Sequence, residues 1–217
     1  MKNNSVYSLS GYVARFAILF ALVIVLQLWG GSLKIGTVSF SFVLIPIVFG
    51  GMVLGKLAGF LLGFSFGVIT FIMGVTGLDP FTLVLFNDHP VYTALICLVK
   101  GSAAGFFPAV IYGALAKKNA AAATITAAAA APIINTGLFI AGALLLVRDT
   151  IAANFVDGTT VLYFVVIGCA GVNFLVELGL NLVIAPALVR VVRAVERNRG
   201  RGGAGGENSA GGGQEES

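Results

Sequence analysis

Long apolar blocks, nearly free of charge and separated by short polar breaks, constrain this chain more than any other feature. The run from Phe16 to Trp29 is the first of them. A helix needs roughly 20 such residues to cross a hydrocarbon core of about 30 Å. The blocks also set the composition. Only 10% of residues are charged and 58% are apolar, whereas a soluble domain carries about 25% charged residues. A mean hydropathy of +1.01 points the same way. The chain therefore lacks the polar residues to clothe a water-facing surface. The formal charge of +4 and a pI of about 9.3 would suggest nucleic acid in a soluble protein. Here the basic residues lie between and beyond the apolar blocks, which is the pattern of membrane topology. The expected fold class is an all-α membrane protein of about six transmembrane helices.

Breaks in the pattern place the helices at Tyr12–Trp29, Val38–Leu54, Leu57–Val75, Val91–Leu115, Ala121–Val147 and Val161 to about Val192. Between them fall a very short turn at Gly55-Lys56, a longer polar connection at 76–90, and a loop at 148–160. The first helix is expected to be retained rather than cleaved as a signal peptide, because no clear small-x-small site follows it. The domain organisation is then a cytoplasmic N-terminus at 1–11, a six-helix membrane domain at 12–193 and a Gly-rich cytoplasmic tail at 194–217. The tail cannot bury a core and is expected to be disordered. With both termini inside, ten of the thirteen basic residues fall on the cytoplasmic side, as the positive-inside rule requires. Asp79, Asp88, Asp149 and Asp157 fall in outer loops.

Glycine recurs at every fourth position from Gly51 through Gly55, Gly59 and Gly63 to Gly67. On the third helix this lines one face, as helices packed closely in lipid require. Internal packing is the expected use, with a subunit contact as the alternative. Ala14, Ala17 and Ala21 share a face of the first helix, and Ala17-x-x-x-Ala21 is a small-xxx-small pair. The fifth helix is rich in alanine, giving it a thin profile, and Pro132 is expected to kink it.

Ionisable and amide groups at membrane depth are costly and face a cavity or a partner. Lys100 lies roughly 13 Å below the outer end of its helix, and Glu177 lies near the centre of the last one. Two readings stand side by side: a mutual ion pair that locks the bundle, or contacts to a polar ligand. Asn173, Glu177 and Asn181 are spaced by four and share one face, and Asn135 adds another amide. Together with Lys100 they suggest a polar interior. Asn87 and His89 sit at the outer mouth, where Asn, Asp and Pro also serve as turn and cap residues. Trp29 reads as an interfacial anchor or a pocket wall. Cys97 and Cys169 lie in apolar blocks without metal or redox spacing, and one histidine cannot build a multi-histidine metal site. No phosphate loop, zinc-protease motif or nucleophile elbow is present. Enzyme chemistry has little support, no enzyme is expected, and no cofactor is expected.

The stretch 39–67, with Pro46 ahead of a tight Leu-Gly-x-x-x-Gly turn and a glycine-spaced helix, resembles the substrate-specific (S) components of energy-coupling-factor (ECF) transporters. Leu85-Phe-Asn-Asp-His-Pro90, then Lys100-Gly-Ser-Ala-Ala-Gly105, resembles that family's third loop and fourth helix. Ala17-x-x-x-Ala21 matches its alanine motif. The resemblance covers residues 10–195. It implies a membrane component that binds a vitamin or related micronutrient from outside. It also implies partners: a transmembrane coupling subunit and two cytosolic ATPases, which topple the binder to release substrate inside. Ala14, Ala17 and Ala21 would form the coupling contact. Lys100, Asn87, His89, Asn135, Asn173, Glu177 and Trp29 are the candidate ligand residues. Cys97 stands where relatives near the pantothenate branch carry arginine, while Lys100 favours an anionic ligand. Pantothenate is the first guess, with folate, riboflavin or another micronutrient open. Two other classes compete: an ion-coupled secondary transporter using Lys100 and Glu177, and a membrane scaffold without a ligand.

Overall fold

The computed structural model describes residues 3–30, 34–35, 38–39 and 42–207, with side chains over 9–30 and 42–195. The protein is an all-α membrane protein. Among the described residues, five helices are long and apolar enough to span a bilayer, and Leu44–Leu54 is a shorter apolar one. The elements are α1 (Asn3–Gly30), α2 (Leu44–Leu54), α3 (Lys56–Val75), α4 (Pro80–Asp88), α5 (Pro90–Leu115), α6 (Ala120–Leu146) and α7 (Arg148–Phe155). The last span opens with α8 (Val161–Tyr163), passes through a π-helical stretch at Phe164–Gly171 and continues as α9 (Val172–Glu207).

The second predicted helix is shorter than its apolar run. Val38–Ser39 pairs antiparallel with Lys34–Ile35 as a two-residue ribbon, with Ile35 opposite Val38, and α2 begins only at Leu44. Its 11 residues span about 16 Å, half the hydrocarbon thickness. Hydropathy reports an apolar run, and a short apolar run reads alike as strand or helix. Pro46 falls in the first turn of α2, where its missing N–H costs nothing. Gly55, at φ 102°, makes the turn into α3.

Two predicted loops contain helices. Pro80 starts α4 and Pro90 starts α5, each at the first or second position. α7 occupies the first part of the 148–160 connection. The last helix is not regular: the π-helical stretch widens it just before Asn173, and its backbone stays helical to Glu207. Residues 208–217 of the predicted tail lie outside the described residues.

Two apolar clusters organise the bundle. One surrounds α2: Val43, Leu44, Ile47 and Val48 are fully buried against Leu19 and Val23 of α1, Leu62 of α3 and Ala127 of α6. The other lies towards the opposite end, where Leu85, Ile96, Ala143, Val147, Ile151 and Val165 meet. The short helices α4 and α7 thus fill the half that α2 does not reach.

The glycine series is internal packing. A Cβ on Gly63 would strike the carbonyl oxygen of Gly101, and one on Gly101 that of Gly63. Gly59 and Gly105 stand in the same reciprocal relation, and Gly67 abuts the Cys97 carbonyl. α3 and α5 therefore touch backbone to backbone, which maximises van der Waals contact where lipid provides no hydrophobic drive. Across α1 and α3, Gln27 Nε2 donates to Thr70 Oγ1 at 3.1 Å.

α6 is started by Asn119, whose Oδ1 accepts from the backbone N–H of Ala121 and Ala122 at 3.0 and 3.1 Å. Asn119→Ala is expected to cost about 1 kcal/mol, measured as a lower unfolding midpoint in detergent, with Asn119→Asp restoring it. An unchanged midpoint for the alanine variant would show that packing alone positions this helix end.

Candidate functional site

Between the two apolar clusters runs a polar layer. On α5 it falls between Ile96 and Ala104, on α6 between Ala131 and Ala143, and on the last span between Val165 and Leu188. Lys100, Asn135, Asn173, Glu177 and Asn181 occupy those intervals. Lys100 and Asn135 each lie about 15 Å along their helices from the same end of the bundle, because α5 and α6 are consecutive and antiparallel.

Glu177 is the centre. It is 2% exposed. Asn173 Nδ2 donates to its Oε1 at 3.3 Å, and Asn181 Nδ2 donates to its backbone oxygen at 2.8 Å. Asn135 approaches the carboxylate from α6, and the charge of Lys100 acts on it from α5. The four-residue spacing makes the first two contacts: residues one turn apart stack on a helix face. Among the described residues no ion pair joins Lys100 to Glu177, so a locked salt bridge is not what holds the bundle together. The Lys100 amine instead lies 5.2 Å from the centre of the Phe139 ring, a cation–π distance.

The layer is left incomplete. Asn135 Oδ1, Asn173 Oδ1, Glu177 Oε2 and Asn181 Oδ1 are buried without a hydrogen-bond partner. Each such atom costs about 1–3 kcal/mol relative to a satisfied one.

An aromatic group adjoins the layer. The Phe81 ring centre lies 6.0 Å from that of Phe139 and 5.0 Å from that of Phe155, and Phe155 stacks on Phe164 at 5.8 Å. Phe139 sits one turn from Asn135 on α6 and so belongs to both groups. The four rings come from α4, α6, α7 and the π-helical stretch. Thr150 of α7 donates to Asp88 of α4, tying the two short helices together. A separate recess lies between α6 and the α7–α8 connection, lined by Leu144, Arg148, Thr160, Val161 and Leu162.

Of the predicted ligand residues, Lys100, Asn135, Asn173 and Glu177 are brought together. Asn87 is exposed near the end of α4. His89 lies between α4 and α5, half exposed, with Nε2 3.5 Å from Asp88 and its ring 5.6 Å from that of Tyr92. Trp29 is 59% exposed at the end of α1, a helix that packs on α2 and α3 rather than on the polar layer. These three are not part of the cluster. Ala14, Ala17 and Ala21 are all exposed on α1. Among the described residues no group of three or more His, Cys, Asp or Glu could hold a metal.

The phenylalanines were not foreseen. Phe139 alone carried a signal, being four residues from Asn135; nothing in the sequence separates Phe81, Phe155 and Phe164 from the other aromatic residues. Asn181 shares the Glu177 face by its spacing but is not among the candidate ligand residues that the sequence suggests.

Compared with known families, the chain matches the model of the ECF transporter, substrate-specific component, over residues 12–189. No curated protein matches it.

Proposed function

The chain belongs to the family of ECF transporter substrate-specific components, and on that premise we propose that it captures a micronutrient at the polar layer of Lys100, Asn135, Asn173, Glu177 and Asn181. It is a multi-pass membrane protein, and we place it in the plasma membrane with both termini inside. A transmembrane coupling subunit and two cytosolic ATPases complete the importer, with Ala14, Ala17 and Ala21 as the coupling face. The family match names no substrate, and pantothenate has no support beyond the basic Lys100.

One observation carries this reading. Four buried oxygen atoms on two different spans lack partners, yet native proteins satisfy nearly all such groups. A purely structural layer would close on itself. Unpaired acceptors of this kind are groups that a bound ligand's donors would satisfy.

Native mass spectrometry of the gently purified chain is the test. A bound species of vitamin size is expected, retained by His89→Ala and lost in Lys100→Ala. A ligand-free chain that also fails to respond to a panel of B vitamins would overturn the proposal.

A further inference from the structure

The recess between α6 and the α7–α8 connection is separate from the polar layer. It holds about 300 Å³ and is lined by Leu144, Arg148, Thr160, Val161 and Leu162. Leu144 and Val161 pack on the apolar cluster at that end of the bundle, which fixes the apolar side of the recess. Its polar side chains offer donors. Arg148 is exposed, and a guanidinium carries five N–H donors and no acceptor. Thr160 Oγ1 already accepts from the Tyr163 backbone N–H at 3.2 Å, which leaves its hydroxyl proton to donate. Asp149 and Asp157 flank the segment in sequence but do not line the recess. Among the described residues neither carboxylate forms an ion pair with Arg148.

Depth in the membrane decides what can occupy it. α6 has 27 residues and spans about 40 Å, so its ends pass beyond a hydrocarbon core of about 30 Å into the headgroup layer. Arg148 follows that helix almost directly, and Leu162 and Tyr163 open the last span. Leu145 is 81% exposed, and Leu162 and Tyr163 are each 57% exposed. Leucines beside a tyrosine at headgroup level form the kind of border that acyl chains cover. With both termini inside, as proposed above, Arg148 is a basic residue on the outer side, where the charge bias gives it no role in topology. A soluble anion would use the guanidinium alone. A phospholipid uses the guanidinium and the leucines together.

We propose that this recess binds the phosphate of an anionic phospholipid. The Arg148 guanidinium takes the phosphodiester oxygens in the two-pronged geometry that arginine favours. The Thr160 hydroxyl donates to the same group, and one acyl chain lies along Leu145 and Leu162. A phosphatidylcholine headgroup fits less well, because it brings a second cation to a recess that no carboxylate lines. One lipid thereby bridges the end of α6 and the start of the last span.

The test uses the full chain in detergent, titrated with phosphatidylglycerol, phosphatidylcholine or inorganic phosphate. Native mass spectrometry and the unfolding midpoint are the readouts. Phosphatidylglycerol is expected to bind as a discrete adduct and to raise the midpoint, and phosphatidylcholine to do neither at the same concentration. Affinity for phosphatidylglycerol is expected to fall about five-fold in Arg148→Ala, as the loss of one basic contact at a membrane surface implies, and to recover in part in Arg148→Lys. Leu162→Glu keeps the arginine but sets a carboxylate in the path of the acyl chain, and is expected to lose the adduct as well. Both positions are exposed, and the lipid-free midpoint reports folding. Equal binding of the two lipids would overturn the proposal, as would a phosphatidylglycerol adduct that ignores Arg148→Ala. Stabilisation by inorganic phosphate that depends on Arg148, without a lipid adduct, would overturn it in favour of a soluble anion. None of these residues belongs to the polar layer, so the outcome is independent of the substrate.

Discussion

Gly63→Ile is expected to leave no monodisperse protein after detergent extraction, and Gly105→Val the same. A Cβ on Gly63 meets the carbonyl oxygen of Gly101, and one on Gly105 meets that of Gly59. Overpacking against a movable side chain costs roughly 1–3 kcal/mol. Here the obstacle is backbone, so the two helices must separate along the whole contact, and the cost should exceed about 3 kcal/mol. That is a large share of a typical stability of about 5–15 kcal/mol. The matched controls are Gly113→Ala and Gly137→Ala, where an added Cβ meets nothing within 4 Å. These should fold normally and gain about 0.5–1 kcal/mol from the lower entropy of alanine in a helix. Size-exclusion profiles and unfolding midpoints in one detergent separate the two groups. A normal profile for Gly63→Ile would mean that α3 and α5 are not in backbone contact.

Uptake should be abolished by Ala17→Trp or Ala21→Trp while ligand binding and folding persist. Both alanines are exposed on α1, beside exposed Val13, Ile18 and Phe20. Substitutions at such positions change stability by about 0.5 kcal/mol or less. Neither residue touches the polar layer. A close helix–helix contact with a coupling subunit, in contrast, depends on small residues that let backbones approach, and an indole there would hold the partners apart. The measurement is paired: substrate accumulation in cells carrying the ATPase and coupling subunits, and Kd of the purified variant. Full uptake with either tryptophan in place would remove this face from the coupling contact. Loss of binding in parallel with uptake would show that the effect arises inside the protein.

The sequence alone determined that the chain lives in a membrane, roughly where most spans lie, and which ionisable residues sit at depth. These follow from bilayer physics, because hydrocarbon thickness sets block length and the scarcity of charge makes Lys100 and Glu177 conspicuous. The glycine spacing likewise announced a close helix contact, since only a missing side chain permits one. What the sequence left open depends on who meets whom. Hydropathy could not tell that Val38–Ser39 leaves the helical pattern and that α2 starts at Leu44, because a short apolar run fits a strand or a helix equally well. It could not show that 80–88 and 148–155 are helical, since short helices are stabilised by tertiary packing more than by their own propensity. Nor could it choose between a Lys100–Glu177 ion pair and an open layer. Only the packing of α5, α6 and α9 shows the lysine over Phe139 and the amides turned towards Glu177. Chain connectivity set which residues were available at depth, and the relative rotation of three helices decided which of their atoms remain without a partner.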